Sequence, residues 1–423
     1  MNHPTEICLD PDQGIDREVL AELRARFLQL NERRLARALK GLSARRRQVL
    51  TLLPLLLHVN HPALPGYVSA TTAAGVAGFE PGAPLLDAAA RLGGSPDCES
   101  WTSDPARPIH GLYLMGSLGT LAQAEQSDMD LWICHAPDLA KHDLADLTSK
   151  CRLLEAWAAS QGAEAHLFLI ESRRFAQAAG TDGPAIDNSD SARQCLLLDE
   201  FYRTAIWLAG RTPLWWLVPA ERERDYHAYT QALLSRQLIQ ADDHLDLGHL
   251  AEPAPGKLVE AARCQLRKGL DSPYKSLLKL LLVEVYATEH PHVRYLSLDF
   301  KRAVFAGPPD IDRLDPYLMI YRRIERYLLE SGDDRRLEQA RRSLYLKTGR
   351  RLSGRAGLAQ DNWQSSLLGR LIEEWGWPGE HLVELDGPGQ PDAARTNARH
   401  RLLLDELEHN YERLVRLATP RPE

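Results

Sequence analysis

Apolar residues recur at helical spacing early in the chain. Leu20, Leu23, Phe27 and Leu30 share one face of a helix expected over about 17–40, with Asp16 placed to cap it. Gly41 and Ser43 break that pattern, and a second helix is expected over about 44–57. The stretch from Leu52 to Ser69 carries three prolines, which forbid one continuous helix there. Residues 70–108, rich in Gly, Ala and Pro, read as loop with short helical pieces. The pattern changes at 111. GLYLM (111–115), DLWIC (130–134) and AHLFLI (165–170) are short apolar runs of strand type, and 139–160 is helical between the last two. A helix is also expected just after Gly116-Ser117, so the order is strand, helix, strand, helix, strand. Such an order gives a small mixed sheet covered by helices, an α+β fold. Residues 173–192 are polar and read as a loop. Helical periodicity then dominates over 194–209, 221–238, 256–269, 273–289, 315–331, 334–349, 363–375 and 394–417, and LWWLV (214–218) reads as one more strand. The expected division is an N-terminal helical segment (1–108), a catalytic core (109–218) and a helical domain (219–423).

Composition narrows the function classes. The chain has 423 residues, 44% apolar and 26% charged, as a soluble globular protein does. Its net charge of −7 argues against non-specific nucleic-acid binding, which needs a basic footprint. A nucleotide substrate stays open, because a metal ion can supply positive charge locally. The apolar stretches 51–57 and 277–286 fall short of the roughly 18–20 residues of a membrane span. The N-terminus lacks the pattern of a secretory signal, and the six cysteines form no CxxC pair. They read as reduced thiols of a cytoplasmic protein.

The chemistry concentrates in Gly111 to His135. An apolar strand ends in Gly116-Ser117, and Asp128 and Asp130 then bracket Met129 at the start of the next strand. A bare acid-x-acid triplet arises by chance in any acidic chain; the conjunction of strand, Gly-Ser, spacer, acid-x-acid and strand is far more selective. Side chains at i and i+2 of a strand point to one side, so the two aspartates can converge on a divalent ion. Hard carboxylate oxygens suit Mg²⁺. Gly116 lets the backbone approach a phosphate, and Ser117, at a helix start, adds a hydroxyl beside outward N–H groups. Glu164, at the start of the third strand, is the preferred third carboxylate, with Glu171 at that strand's far end as the other choice. Trp132 alternates with Asp130 and either stacks on a base or packs beneath the metal ligands. His58 and His61 lack a completing acid or cysteine and read as structural or as a pocket wall.

The hydrophobic-Gly-Ser and DxD pattern resembles the core of the polymerase-beta-like nucleotidyltransferase superfamily. More narrowly, the chain resembles the catalytic part of class I, enterobacterial-type adenylate cyclases. The likeness is carried by LLPLLLHVNHPALPGYVS (52–69), MGS with SDMDLWICH (115–135), LLLDEFYRTAIWLAG (196–210), DSPYKSLLKLLLVEVY (271–286), LDPYLMIYRRIERYL (314–328) and EEWGWP (373–378). It implies a nucleotidyltransferase core and conversion of ATP to 3′,5′-cyclic AMP and pyrophosphate. Two Mg²⁺ or Mn²⁺ ions on Asp128, Asp130 and Glu164 would assist it. It also implies a helical lysine on the triphosphate. Lys275 and Lys279, at i and i+4 after Asp271-Ser272-Pro273, are the candidates, with Arg203 and Lys268 behind them. The family carries a C-terminal regulatory region, through which sugar-transport signalling acts, and most of it is expected to be absent here. Two rival readings remain: a nucleotidyltransferase moving AMP to another acceptor, and an inactive nucleotide-sensing module.

Overall fold

Alternation along the strands sorts their side chains onto two faces, and each face has its own core. The computed structural model describes residues 15–93, 101, 106–173, 190–253, 255–354, 362–387 and 393–418. Its first part holds α1 (Arg17–Lys40), α2 (Ala44–His58), α3 (Ala83–Gly93), β1 (Ile109–Met115), β2 (Met129–His135), α4 (Lys141–Ser160), β3 (Ala165–Glu171), α5 (Asp190–Thr204) and β4 (Ile206–Gly210). A short parallel pair, β5 (Thr212–Pro213) and β6 (His244–Leu245), follows with α6 (Tyr226–Ser235) between them. The rest is helical: α7 (Pro255–Lys268), α8 (Pro273–Glu289), α9 (Leu296–Phe305), α10 (Pro316–Glu330), α11 (Asp334–Lys347), α12 (Trp363–Trp375), α13 (Gly379–Asp386) and α14 (Ala393–Ala418). This is the expected α+β class.

The main sheet has the order β3-β2-β1-β4; β2 runs antiparallel to β1 and parallel to β3, and β4 runs antiparallel to β1. Met129, Leu131 and Ile133 of β2 pack with Leu112 and Leu114 of β1, the leucines of α2, and Leu147 and Leu154 of α4. The alternate residues Trp132 and Cys134 pack on the other face with Tyr113, Met115, Phe201 and the C-terminal helices. Leu20, Phe27 and Leu30 of α1 join that second core. The sheet is thus sandwiched, and its second face meets the helical part of the chain.

The local signals explain the helix starts. The Asp16 carboxylate accepts from the Val19 N–H at 2.9 Å, and Asp315 accepts from the N–H groups of Tyr317 and Leu318 ahead of α10, where Pro316 fills the first turn. Pro54 lies inside α2 without ending it; the chain leaves the helix only at Val59.

Three expectations need correction. No helix follows Gly116-Ser117: residues 116–128 form a turn-rich connection, with Gly116 and Gly119 at φ +93° and +75°. An antiparallel β1–β2 pair needs no crossover helix, and positive φ at two positions breaks one. LWWLV is not a strand, because Leu214–Leu217 form a 3₁₀ turn of fully packed side chains. The helix expected over 194–209 ends at Thr204, and IWLAG pairs with β1 instead. Helices α9 and α13 had not been expected. The polar loop at 173–192 lies mostly outside the described residues. Among the described residues no helix is long and apolar enough to cross a membrane.

Candidate active site

The site begins at the bend after β1. Gly116 stands at φ +93°, a left-handed conformation, and a Cβ there would lie 3.5 Å from the Asp130 Oδ2 atom. A side chain would be strained by that backbone conformation, and its Cβ would stand in van der Waals contact with the carboxylate. The connection that follows is bonded at almost every turn. Ser117 Oγ donates to Ser127 Oγ at 3.0 Å, which also accepts from the Ala124 N–H. Gln123 accepts from the Gly119 N–H at 2.8 Å and donates to the carbonyl of Ala38 in α1. Asp315 accepts from the Leu121 N–H at 2.6 Å, and Gln364 of α12 donates to the carbonyls of Leu121 and Gln123 at 3.0 and 2.9 Å. Arg46 of α2 donates to the carbonyl of Ser127, the residue before Asp128. Buried backbone polar groups need such partners. The Ser117 hydroxyl is thus spent inside the loop, and no helix N-terminus stands behind it.

Asp128 and Asp130 flank the fully buried Met129. Met129 faces the α2–α4 core, so the two aspartates turn to the opposite side. Asp130 pairs in register with Met115 of β1 and His166 of β3. The Glu164 carbonyl accepts from the Met129 N–H at 2.9 Å, which sets Glu164 beside Asp128. One ligand atom each from Asp128, Glu164 and His166 lies within 4.8 Å of the others. Glu171 pairs with His135 at the far end of the strand. Burial pushes the Asp130 carboxyl above its usual range; Lys275 and His166 oppose that, and Asp128 and Glu200 add to it.

Cations approach from the helical part. Lys275 is held above the ordinary lysine range, first by Tyr317, against burial, and further by Glu200, Asp130 and Asp128. Its neighbour Lys279 donates to both oxygens of Glu200 in α5, at 2.6 and 2.7 Å. Burial works to raise the Glu200 carboxyl, but Lys279 and Lys275 overcome it and hold the group down at about 2. Arg203 is buried and reaches the Pro316 carbonyl at 3.4 Å and Asp199 at 3.8 Å. Trp132 is 5% exposed and stacks on Phe201 at 5.0 Å between centroids, so its ring packs in the core on the Asp130 side of the sheet. Lys268 is exposed. His58 accepts from the Val76 N–H and His61 from the Ala63 N–H, both local structural bonds.

Three residues absent from the sequence reading belong to this neighbourhood, Lys347 and Arg46 first. Lys347, at the end of α11, donates to the Ala122 carbonyl at 3.4 Å. Burial pulls its ammonium down to about 8, with Lys275 adding to the effect and Asp128 opposing it. Arg46 lies close to Asp128, Glu125 and Glu164. Both sit in helices far along the chain from the DxD segment, and spacing alone carries no sign of them. His166 is the third addition: it lies two residues beyond Glu164, on the same side of β3.

A glycine bend, two adjacent aspartates and converging lysines fit a site for a polyphosphate. Comparison with known proteins names the family. A model described as the adenylate cyclase NT domain matches residues 19–216, and one described as the class-I adenylate cyclase second domain matches residues 256–421. The chain belongs to the class I adenylate cyclase family. Relatives include the adenylate cyclase of Yersinia intermedia, 37% identical over 404 residues, covering 94% of this chain and 46% of that protein. The adenylate cyclase of Escherichia coli (strain K12) is 36% identical over 405 residues, with the same shares. The chain thus spans about half the length of the curated relatives it matches. No solved structure matches. The class I models cover both the sheet and the helices that close over it, so the DxD bend and Lys275 lie within matched segments.

Proposed function

We propose that this chain is an adenylate cyclase acting on ATP by intramolecular nucleotidyl transfer. The ribose 3′-oxygen attacks the α-phosphorus, the bond to the pyrophosphate breaks, and the hydroxyl proton leaves to water. The observation that carries the reading is that Asp130 stands against the bend at Gly116 while the charges of Asp130 and Asp128 act on the buried Lys275. Family membership supports the choice of ATP and of cyclic AMP as product.

The donor set fits a hard divalent ion: ligand atoms of Asp128, Glu164 and His166 lie within 4.8 Å of one another, and Asp130, paired with His166, follows on the same side of the sheet. Two bound Mg²⁺ or Mn²⁺ ions would lower the pKa of the 3′-hydroxyl and neutralise charge on the departing pyrophosphate. The chain's own residues do the positioning. Lys275 and Lys347 bring positive charge to the side of the aspartates where the triphosphate must lie. Gly116 leaves room for the chain of phosphates against the backbone. The ion pair of Lys279 with Glu200 fixes α8 against α5, and so fixes the depth of Lys275. Because the bend is bonded in place beforehand, the charge pattern needs little reorganisation when ATP binds. A cytoplasmic setting, where ATP is supplied, belongs to the same reading.

The test is incubation with ATP and Mg²⁺ alone. Cyclic AMP should form without a second substrate and stop on chelation. Asp128→Asn should lower the rate about a thousandfold with an unchanged unfolding temperature, since Asp128 is exposed. Transfer of AMP to an added acceptor with no cyclic product would replace cyclisation by another nucleotidyl transfer. Absence of both would leave a nucleotide-binding module.

A further inference from the structure

We propose that His166 is a ligand of the divalent ion at this site. Its imidazole makes the site select a first-row transition ion such as Mn²⁺ over Mg²⁺. The proposal rests on the reading of Asp128 and Asp130 as metal carboxylates and specifies which ion they share with β3.

The strand register brings His166 there. In the parallel β2–β3 pair Met129 lies beside Ala165 and Asp130 beside His166. Alternation then sends Glu164 and His166 to the side that carries Asp128 and Asp130, away from the core that takes Met129, Leu131, Ala165 and Leu167. Ligand atoms of Asp128, Glu164 and His166 lie within 4.8 Å of one another. An ion at about 2.1 Å from each ligand holds them within roughly 4.2 Å, so small rotations suffice. Glu164 and His166, whose side chains are 68% and 46% exposed, are free to make them.

The plain alternative is a surface ion pair, because His166 Nε2 stands 3.4 Å from Glu164 Oε1. Such a pair is screened by solvent and needs a protonated ring. A metal ligand needs the neutral ring with a lone pair on one nitrogen. The two roles predict opposite responses to metal. Carboxylates and water give Mg²⁺ and Mn²⁺ similar terms, whereas a nitrogen donor is a poor partner for Mg²⁺ and a good one for transition ions. A single imidazole among carboxylates therefore shifts the preference without excluding either ion.

The experiment uses the whole chain without nucleotide. MnCl₂ is titrated in and free Mn²⁺ is read by electron paramagnetic resonance, with MgCl₂ as competitor. Spin-echo modulation from a directly bound nitrogen is recorded on the Mn²⁺ complex. Wild type should show that modulation and prefer Mn²⁺. His166→Ala should lose the modulation and weaken Mn²⁺ binding about tenfold or more. Its Mg²⁺ affinity should fall by less than about threefold, because Mg²⁺ gains little from nitrogen. His166 is exposed on an edge strand, and an unchanged unfolding temperature confirms that the variant is folded. Retained nitrogen modulation, or Mn²⁺ affinity within about twofold of wild type, overturns the proposal and leaves the ion pair. The cyclase reading is tested separately: cyclic AMP production with unaltered Mn²⁺ binding in His166→Ala removes His166 alone. Loss of Mn²⁺ binding in the variant of a protein that makes no cyclic AMP removes the reaction and keeps the ligand.

Discussion

Ser117, Thr120, Gln123 and Ser127, in the connection between β1 and β2, are each no more than 9% exposed and all hydrogen-bonded. One strand away, the Glu164 and His166 side chains are 68% and 46% exposed, and Phe168 is 47% exposed. The two regions flank the same pair of aspartates. On the first side the shape is set before any ligand arrives, because a buried polar loop persists only when its groups are paired. On the second side few contacts restrain the side chains, and a bound ion or nucleotide must supply the order. Damage to the bend should therefore cost stability and activity together. Removal of the exposed β3 side chains should cost binding and leave the unliganded fold alone.

Asp315→Ala is the strongest test of the first half. It removes the partner of the Leu121 N–H and the cap of α10 in one step. Stranding a buried donor costs about 1–3 kcal/mol, and losing a cap adds about 1 kcal/mol. Thermal unfolding should move down by several degrees, and cyclic AMP formation should fall even at temperatures where the protein stays folded. A variant that unfolds early yet turns over normally when folded would show that the bend needs no anchoring from α10.

Lys347 gives a smaller and more specific effect. Burial brings its ammonium down to about 8, so in the free enzyme it loses its charge as pH rises through that value. Since kcat/KM reports groups of the free enzyme, it should decline above about pH 8 if the charge serves ATP binding. Lys347→Arg keeps a cation at all these pH values and should flatten the decline. Lys347→Met should raise KM at pH 7 and leave no limb near 8. A decline of the same shape in all three proteins would assign it to another group.

What the sequence made legible follows the same division. Strands β1, β2 and β3 and helices α8 and α12 announce themselves by apolar periodicity, and they place Asp128, Asp130, Glu164 and Lys275. The bend was misread as a helix because its small residues look permissive, while its actual shape depends on partners elsewhere. Arg46 meets Ser127 across 81 positions, Asp315 meets Leu121 across 194, and Gln364 meets Gln123 across 241. No local pattern encodes contacts of that range. β4 was absorbed into a helix because a single residue, Ala205, separates it from α5. His166 has no local signal of its own; the strand register that sets it beside Asp130 is what brings its imidazole to the carboxylates.

Phe168 carries the smallest expected effect and the sharpest contrast with Asp315. It pairs in register with Trp132, but where Trp132 is packed against Phe201, Phe168 stands half in solvent with the His166 ring 6.4 Å away. Removing an exposed side chain away from any cap or buried bond changes stability by about 0.5 kcal/mol or less. Phe168→Ala should thus unfold at the wild-type temperature when unliganded. If a nucleotide orders this side of the site, the variant should gain less thermal stability than wild type from a saturating non-hydrolysable ATP analogue with Mn²⁺, because a ligand stabilises only through contacts made in the folded state. A ligand-induced shift equal to wild type would mean that β3 holds the ion but not the nucleotide, and the open side of the site would then serve metal binding alone.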